Sequence, residues 1–323
     1  MLNPGSKDPS IQNIGISGQE TGALVTERVG VIFEHSMERI DERTIQDLAH
    51  LLIPSASEIT LIHVLPEPWS GIFLKRDDPA LLNKYVEERE QTQEDVKTEL
   101  NALIRQKGFN LAEEQVYNLK DSNIPSLIEQ MNQSQQDLVV LCGNHFSSSA
   151  VLRSHMFTHL AAHLSSSILL LKKHLFGSRK APKILIGIDD TEASMLAVRK
   201  IGSLVRAQDA DITLATVQSP IYQENAVLAP FVNQDVLNEA LKANTNMLFE
   251  MTTDLLQAEG IQVQECRTMI GSPATELGYL AELDNPDLIV VGSHNRKGII
   301  AWVMGSVSSQ LLQWDNHNLL IVR

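Results

Sequence analysis

The stretch Ile184-Leu185-Ile186-Gly187-Ile188-Asp189 decides how this chain is read. It is an unbroken apolar run that ends on an acid, the pattern of a strand buried on both faces of a parallel sheet. The same pattern stands about 155 positions earlier, as Val29-Gly30-Val31-Ile32-Phe33-Glu34. A polar turn and a helical pattern follow each run, over Glu38 to Leu52 and Glu192 to Ala207. Next come Ile59-Thr60-Leu61-Ile62-His63-Val64 and its match, Ile212-Thr213-Leu214-Ala215-Thr216-Val217. Long helical patterns then run from Leu81 to Gln106 and from Gln234 to Ala258, and stop at Gly108 and Gly260. Short strands follow near Gln115 to Leu119 and Gln262 to Met269, and Pro125 and Pro273 open further helices. Asp137 to Gly143 matches Asp287 to Gly292, and each half closes on an apolar strand with a basic end, Ile168 to Lys172 and Leu319 to Arg323.

Each half therefore reads βαβαβαβαβ. The expectation is an α/β protein of two tandem open, parallel, five-stranded sheets with helices on both faces. The organisation is a Gly/Ser/Asn-rich tail over 1–26, a first domain over 27–173, a linker over 174–182 containing Gly177, Ser178 and Pro182, and a second domain over 183–323. The final strands of the two halves are candidate edges, able to pair with each other within one chain or with a second copy.

Composition bounds the function. The chain has 323 residues, 26 Lys+Arg against 40 Asp+Glu, and a net charge of -14. At roughly 150 residues per domain, that length suits two domains. The negative balance argues against a nucleic-acid or anionic-membrane footprint, although one local basic pocket remains compatible with it. Two cysteines, Cys142 and Cys266, exclude a disulfide framework, and both read as buried hydrophobes rather than nucleophiles. No run approaches the ~20 apolar residues of a membrane helix, and no secretory leader is visible. The expectation is a cytoplasmic protein.

Open α/β sheets bind ligands beyond the carboxyl ends of their strands. In the second half those ends carry Asp189, Val217 and Gly292. The chain continues Ser293-His294-Asn295-Arg296-Lys297-Gly298, and then reaches Gly305-Ser306-Val307-Ser308 at an expected helix start. Glycines permit close backbone approach and positive φ. Helix-start N–H groups beside a serine hydroxyl suit a phosphate, and Arg296 and Lys297 add local positive charge. The plainer reading of the same residues is a loop and a helix cap. A GxxxxGK[ST] phosphate loop and a GxGxxG fingerprint are both absent.

On these residues the chain resembles a tandem universal stress protein. That family's motif is Gly-x2-Gly-x9-Gly-[Ser/Thr] after the fourth strand; Gly292, Gly305 and Ser306 match three positions, and Asn295 stands at the second glycine. Asp189 matches the early acid, His63-Val64 and Thr216-Val217 match the end of strand two, and Gly271-Ser272-Pro273-Ala274 matches the helix entry. The resemblance covers nearly all of 27–323 and implies the adenine-nucleotide α-hydrolase-like (Rossmann-like) sheet. In the second half it implies ATP, with or without Mg, flanked by Asp189 and Val217 and contacted by Val291, Gly292, Asn295, Gly305, Ser306 and Val307. It also implies stress response or signalling through a conformational or partner-binding change. In the first half Glu34, Phe146, Met156 and Phe157 replace motif residues, so no ATP is expected there.

Other constellations have simpler readings. His155, His159 and His163 recur at i, i+4, i+8, which allows a zinc pair but fits a solvated or interfacial stripe better. His35, His63 and His145 approach the strand ends of the first half, where they read as polar rim residues. Trp69, Trp302 and Met304 read as packing groups, and the charged stretch from Tyr85 as a solvated helix face. No Ser/His/Asp arrangement nominates a catalyst, so an enzyme is not expected beyond slow ATP hydrolysis. The alternatives are a nucleotide-free scaffold with both sites degenerate, and an enzyme of the wider α-hydrolase-like group.

Overall fold

The repeated apolar runs become ten strands: β1 (Glu27–Glu34), β2 (Ser57–Pro66), β3 (Asn110–Leu119), β4 (Leu138–Cys142), β5 (Ser167–Leu171), β6 (Lys183–Gly187), β7 (Asp211–Gln218), β8 (Val263–Ile270), β9 (Leu288–Gly292) and β10 (Asn318–Val322). The computed structural model describes residues 27–34, 42–52, 56–66, 91, 94–95, 97–119, 124–142, 150–175, 181–204, 210–218, 234–293, 305–314 and 317–323. Strand order is β3-β2-β1-β4-β5-β10-β9-β6-β7-β8. Pairing is parallel within each half and antiparallel where β5 meets β10, with Ile168 opposite Ile321, Leu169 opposite Leu320 and Leu170 opposite Leu319.

The expectation of two separate five-stranded sheets is thereby corrected to one continuous sheet of ten. The physical reason lies in the two closing strands. Every residue of β5 and β10 is buried, so an unpaired edge on either would hold N–H and C=O groups away from water. The shared ladder satisfies both edges together.

The same ladder joins the cores. One apolar cluster takes Val31, Val140 and Leu169 from the first half and Ile186, Val290 and Leu320 from the second. Helices Glu42–Leu51 and Glu192–Leu204 cover it, through Leu48, Val198 and Ile201. The opposite face packs Leu141, Leu170, Leu185 and Ile321 under helices Ile124–Gln133, Ala150–His163, Pro273–Asp284 and Ser306–Leu312. Equivalent helices of the two halves thus share a face. Because β5 and β10 run in opposite directions, the carboxyl ends of the two halves point to opposite rims of the sheet.

Local expectations fare unevenly. Helix Gln234–Ala258 lies where the pattern put it. Gly108 (φ 87°) and Gly260 (φ 78°) end helical segments in the left-handed region, and Ile261 N–H closes the second stop on the Leu256 carbonyl at 2.9 Å. β3 begins at Asn110, five residues ahead of Gln115, because polar edge residues can pair with β2 without an apolar signal.

Polar groups pin the seam. Asn318 is fully buried; its Oδ1 accepts the backbone N–H groups of Lys172 (2.7 Å) and Lys173 (3.0 Å), and its Nδ2 donates to the Asp287 carbonyl (2.8 Å). The Lys172 ammonium crosses to the Leu312 carbonyl (3.0 Å) and the Trp314 carbonyl, beyond the end of a second-half helix. The Arg323 guanidinium crosses the other way, to the Ala161 and Leu164 carbonyls at the end of a first-half helix. Burial pushes Arg323 down to about 10, which still leaves it charged at neutral pH. Lys200 pairs with Glu27 across the other face. Beyond β5, His174 and the Leu175 N–H engage the buried Asp47 carboxylate at 3.2 and 3.0 Å.

Removing the Asn318 amide takes a partner from three part-buried backbone groups. Asn318→Ala should lower unfolding stability by about 2–4 kcal/mol, measured as a fall in the urea midpoint at unchanged slope. A pH effect also follows from His317, whose Nε2 donates to the Ala281 carbonyl at 3.2 Å. Burial pushes its imidazole below the ordinary value, and Lys173 acts in the same direction. As pH falls through the ordinary histidine range near ~6.5, the unfolded chain therefore takes the proton first and stability is lost. Melting curves across that range should show the loss, and His317→Gln should flatten it.

Candidate functional site

β6 is the switch point of the second half, since β7 and β8 lie to one side of it and β9 and β10 to the other. A cleft opens there, beyond the carboxyl ends of the strands. β6 delivers Gly187, Ile188 and Asp189, β7 delivers Ala215 and Val217, and β9 delivers Val291 and Gly292. Three helix starts complete it, with Thr191 and Ser194, Pro273 and Leu277, and Gly305 through Ser308. Ala215, Val217, Leu277 and Val291 make an apolar wall. Asp189, Thr191, Ser194, Ser306 and Ser308 make a hydroxyl-rich polar side. Such a cleft suits a ligand with a flat apolar part and a polar or charged part.

Local hydrogen bonds fix the polar side. Asp189 Oδ1 accepts from the Thr191 N–H (3.1 Å) and the Thr191 hydroxyl, and the Ser194 hydroxyl accepts from the Asp189 N–H (3.0 Å). The Ser194 N–H donates to the Thr191 hydroxyl at 3.2 Å. An acid two residues before a threonine at a helix entry makes this self-bonded turn. That signal could have nominated Thr191 and Ser194 from sequence, and neither was singled out. The Ser308 hydroxyl is committed inward, to the Gly305 carbonyl at 3.1 Å, while Ser306 is exposed.

Neither motif glycine among the described residues needs a positive φ, and Gly292 is required for space. Gly305 is extended, at φ −64° and ψ 158°. A Cβ on Gly292 would lie 2.3 Å from the Ala193 carbonyl oxygen, so β9 can end against helix Glu192–Leu204 only without a side chain. The structure therefore brings Asp189, Val217, Val291, Gly292, Gly305, Ser306 and Val307 to one cleft. Asn295, Arg296, Lys297, Trp302 and Met304 lie outside the described residues.

Residues 181–323 match the universal stress protein family. A universal stress protein of Mycobacterium tuberculosis is 26% identical over 144 residues, 43% of this chain and 94% of that protein. One of Methanocaldococcus jannaschii is 22% identical over 153 residues, 46% of this chain and 85% of that one. Each such relative is about one half of this chain. The crystal structure of a universal stress protein from Archaeoglobus fulgidus matches with TM-score 0.57 at 12% identity, over 93% of this chain and 98% of that chain. That likeness concerns the fold, and its coverage takes in both halves.

The half that carries the universal stress protein match and the half that does not differ at the equivalent helix. Ser306–Leu312 has seven residues, whereas Ala150–His163 has fourteen. Met156 and Phe157, which correspond to Gly305 and Ser306, lie inside the longer helix rather than at a loop end. They are 1% and 7% exposed and pack with Ile32, Ile62, Val64 and Ile124. The chain's own side chains thus fill that place in the first half. Phe157, expected near a helix start, sits two turns in because the helix begins at Ala150.

Other expected residues resolve individually. His63 is corrected from rim to interior: it is 2% exposed, in register between Phe33 and Val116. Cys142 is buried, and burial raises its thiol pKa. Cys266 is corrected to exposed, because β8 is an edge strand with few neighbours over it. His159 and His163 stack, with ring centroids 5.4 Å apart. Among the described residues no three His, Cys, Asp or Glu side chains gather as a metal group. No helix among them is long and apolar enough to cross a membrane. His35, Trp69, Tyr85, Gly143, His145, Phe146 and His294 lie outside the described residues.

Gly292→Ala should destabilise the second half by about 1–3 kcal/mol, because the methyl meets backbone that cannot swing aside. A lowered urea midpoint, with the cleft-facing helix starts exchanging amide hydrogens faster, is the expected result.

Proposed function

We propose that this chain is a tandem universal stress protein whose second half binds an adenine nucleotide, ATP with or without Mg, and acts in stress response or signalling by changing conformation or partner binding. The observation that carries the reading is the convergence of Asp189, Val217, Val291, Gly292, Gly305, Ser306 and Val307 on one cleft. These residues come from segments dispersed over more than 100 positions of sequence. The apolar wall of Ala215, Val217 and Val291 fits a planar base, and the Asp189 side fits ribose hydroxyls. The Gly305-Ser306 end fits phosphate oxygens. Asp189 is the one carboxylate among the described lining residues, so Mg would be carried chiefly by the phosphates.

Calorimetry with Mg-ATP should give a saturable heat, and ATP at about 100 times its Kd should stabilise the fold by about 2.7 kcal/mol. Asp189→Ala should weaken binding by about tenfold or more, as loss of a charged hydrogen-bond acceptor does. Absence of both heat and thermal stabilisation at millimolar ATP would overturn the reading. The second reading, a nucleotide-free scaffold, draws support from the burial of Met156 and Phe157 in the first half. Nucleotide retained by the purified protein would refute it.

A further inference from the structure

One wall of the cleft is held at its far end by the other half of the molecule. Helix Ser306–Leu312 spans seven residues, and a helix that short has little stability of its own. Its first turn lines the cleft with Ser306, Val307 and Ser308. Leu311 and Leu312 are buried on the sheet. Its last turn delivers the Leu312 carbonyl, and the chain just beyond delivers the Trp314 carbonyl; both receive the ammonium of Lys172. Lys172 directly follows β5 and belongs to the first half. A cation on terminal carbonyls satisfies orphan acceptors and complements the helix dipole. The Lys172 backbone is anchored at the base of the side chain, because its N–H donates to the buried Asn318.

The arrangement is reciprocal. Arg323, directly after β10, does the same for the Ala161 and Leu164 carbonyls at the end of helix Ala150–His163. Among the described residues, a cleft opens at the start of helix Ser306–Leu312, whereas helix Ala150–His163 carries Met156 and Phe157 into the core. The first half, with its equivalent place filled, thus retains a mechanical hold on the wall of the second.

We propose that Lys172 is a positioning residue through which the first half sets the helix Ser306–Leu312 and thereby the ligand affinity of the second-half cleft. The helix-setting part stands on the contacts above; the affinity part rests on the nucleotide reading. Linkage makes the coupling two-way, so ligand in the cleft also tightens the seam between the halves.

The test uses the full chain with Lys172→Met, Lys172→Arg and, as control, Lys200→Met. The control breaks a cross-half ion pair, with Glu27, and lies on a helix that packs on the opposite face of the sheet. Hydrogen exchange without nucleotide should show the amides of 307–312 exchanging about tenfold faster in Lys172→Met, restored in Lys172→Arg and unchanged in Lys200→Met. Calorimetry with Mg-ATP should show roughly three- to tenfold weaker binding in Lys172→Met, and near-native binding in the other two. Unchanged exchange in Lys172→Met, or equal loosening in Lys200→Met, overturns the proposal. Native affinity in Lys172→Met, with a wild type that binds, overturns the coupling and leaves the nucleotide reading standing. A wild type that binds no ATP overturns the nucleotide reading and with it the affinity part, while the exchange result still decides whether Lys172 sets the helix.

Discussion

The antiparallel ladder between β5 and β10 is the contact on which the rest of the molecule depends. Both strands are apolar and buried along their whole length, so neither half can leave its closing edge unpaired at small cost. Joining them antiparallel turns two open sheets into one of ten strands and aligns two apolar clusters across the seam. It also sends the carboxyl ends of the two halves to opposite rims of the sheet. The buried amide of Asn318 and the crossing cations Lys172 and Arg323 then satisfy polar groups that the seam would otherwise strand.

Within that symmetric frame the halves have taken different courses. The second keeps a short helix starting at Ser306, a glycine where β9 meets backbone, and a self-bonded Asp189–Thr191–Ser194 turn. The first has a helix twice as long, and its Met156 and Phe157 occupy core volume. A filled half and an open half, held together by reciprocal cations, make a molecule in which one part can serve as the support of the other. The fold likeness to the Archaeoglobus fulgidus structure extends over both halves.

Much of this was legible in advance because its physics is local or periodic. Continuous apolar runs announced buried strands, Gly108 and Gly260 announced helix ends, and the Gly292 to Ser306 spacing announced the cleft. Legibility failed where the deciding neighbour is distant in sequence. Nothing in Ile168 to Leu171 says whether the strand pairs with its own copy or with Leu319 to Ile321. His63 carries no local sign that its strand will lie between β1 and β3 and bury it, and Cys266 none that its strand will be an edge. The extra turns of helix Ala150–His163 rest on a segment without a strong amphipathic pattern.

By itself, then, the sequence determined the alternation of strand and helix, the twofold repeat, and the residue types available at the second-half strand ends. Those follow from hydrophobic periodicity, turn chemistry and the small volume of glycine, all of which act over a few residues. Only the tertiary structure decided that the two sheets are one, that the glycine of β9 exists to clear the Ala193 carbonyl, and that Lys172 reaches the cleft's helix from the other half. Those depend on which surfaces meet, and satisfying buried edges and orphan carbonyls is a demand that arises only once they have met.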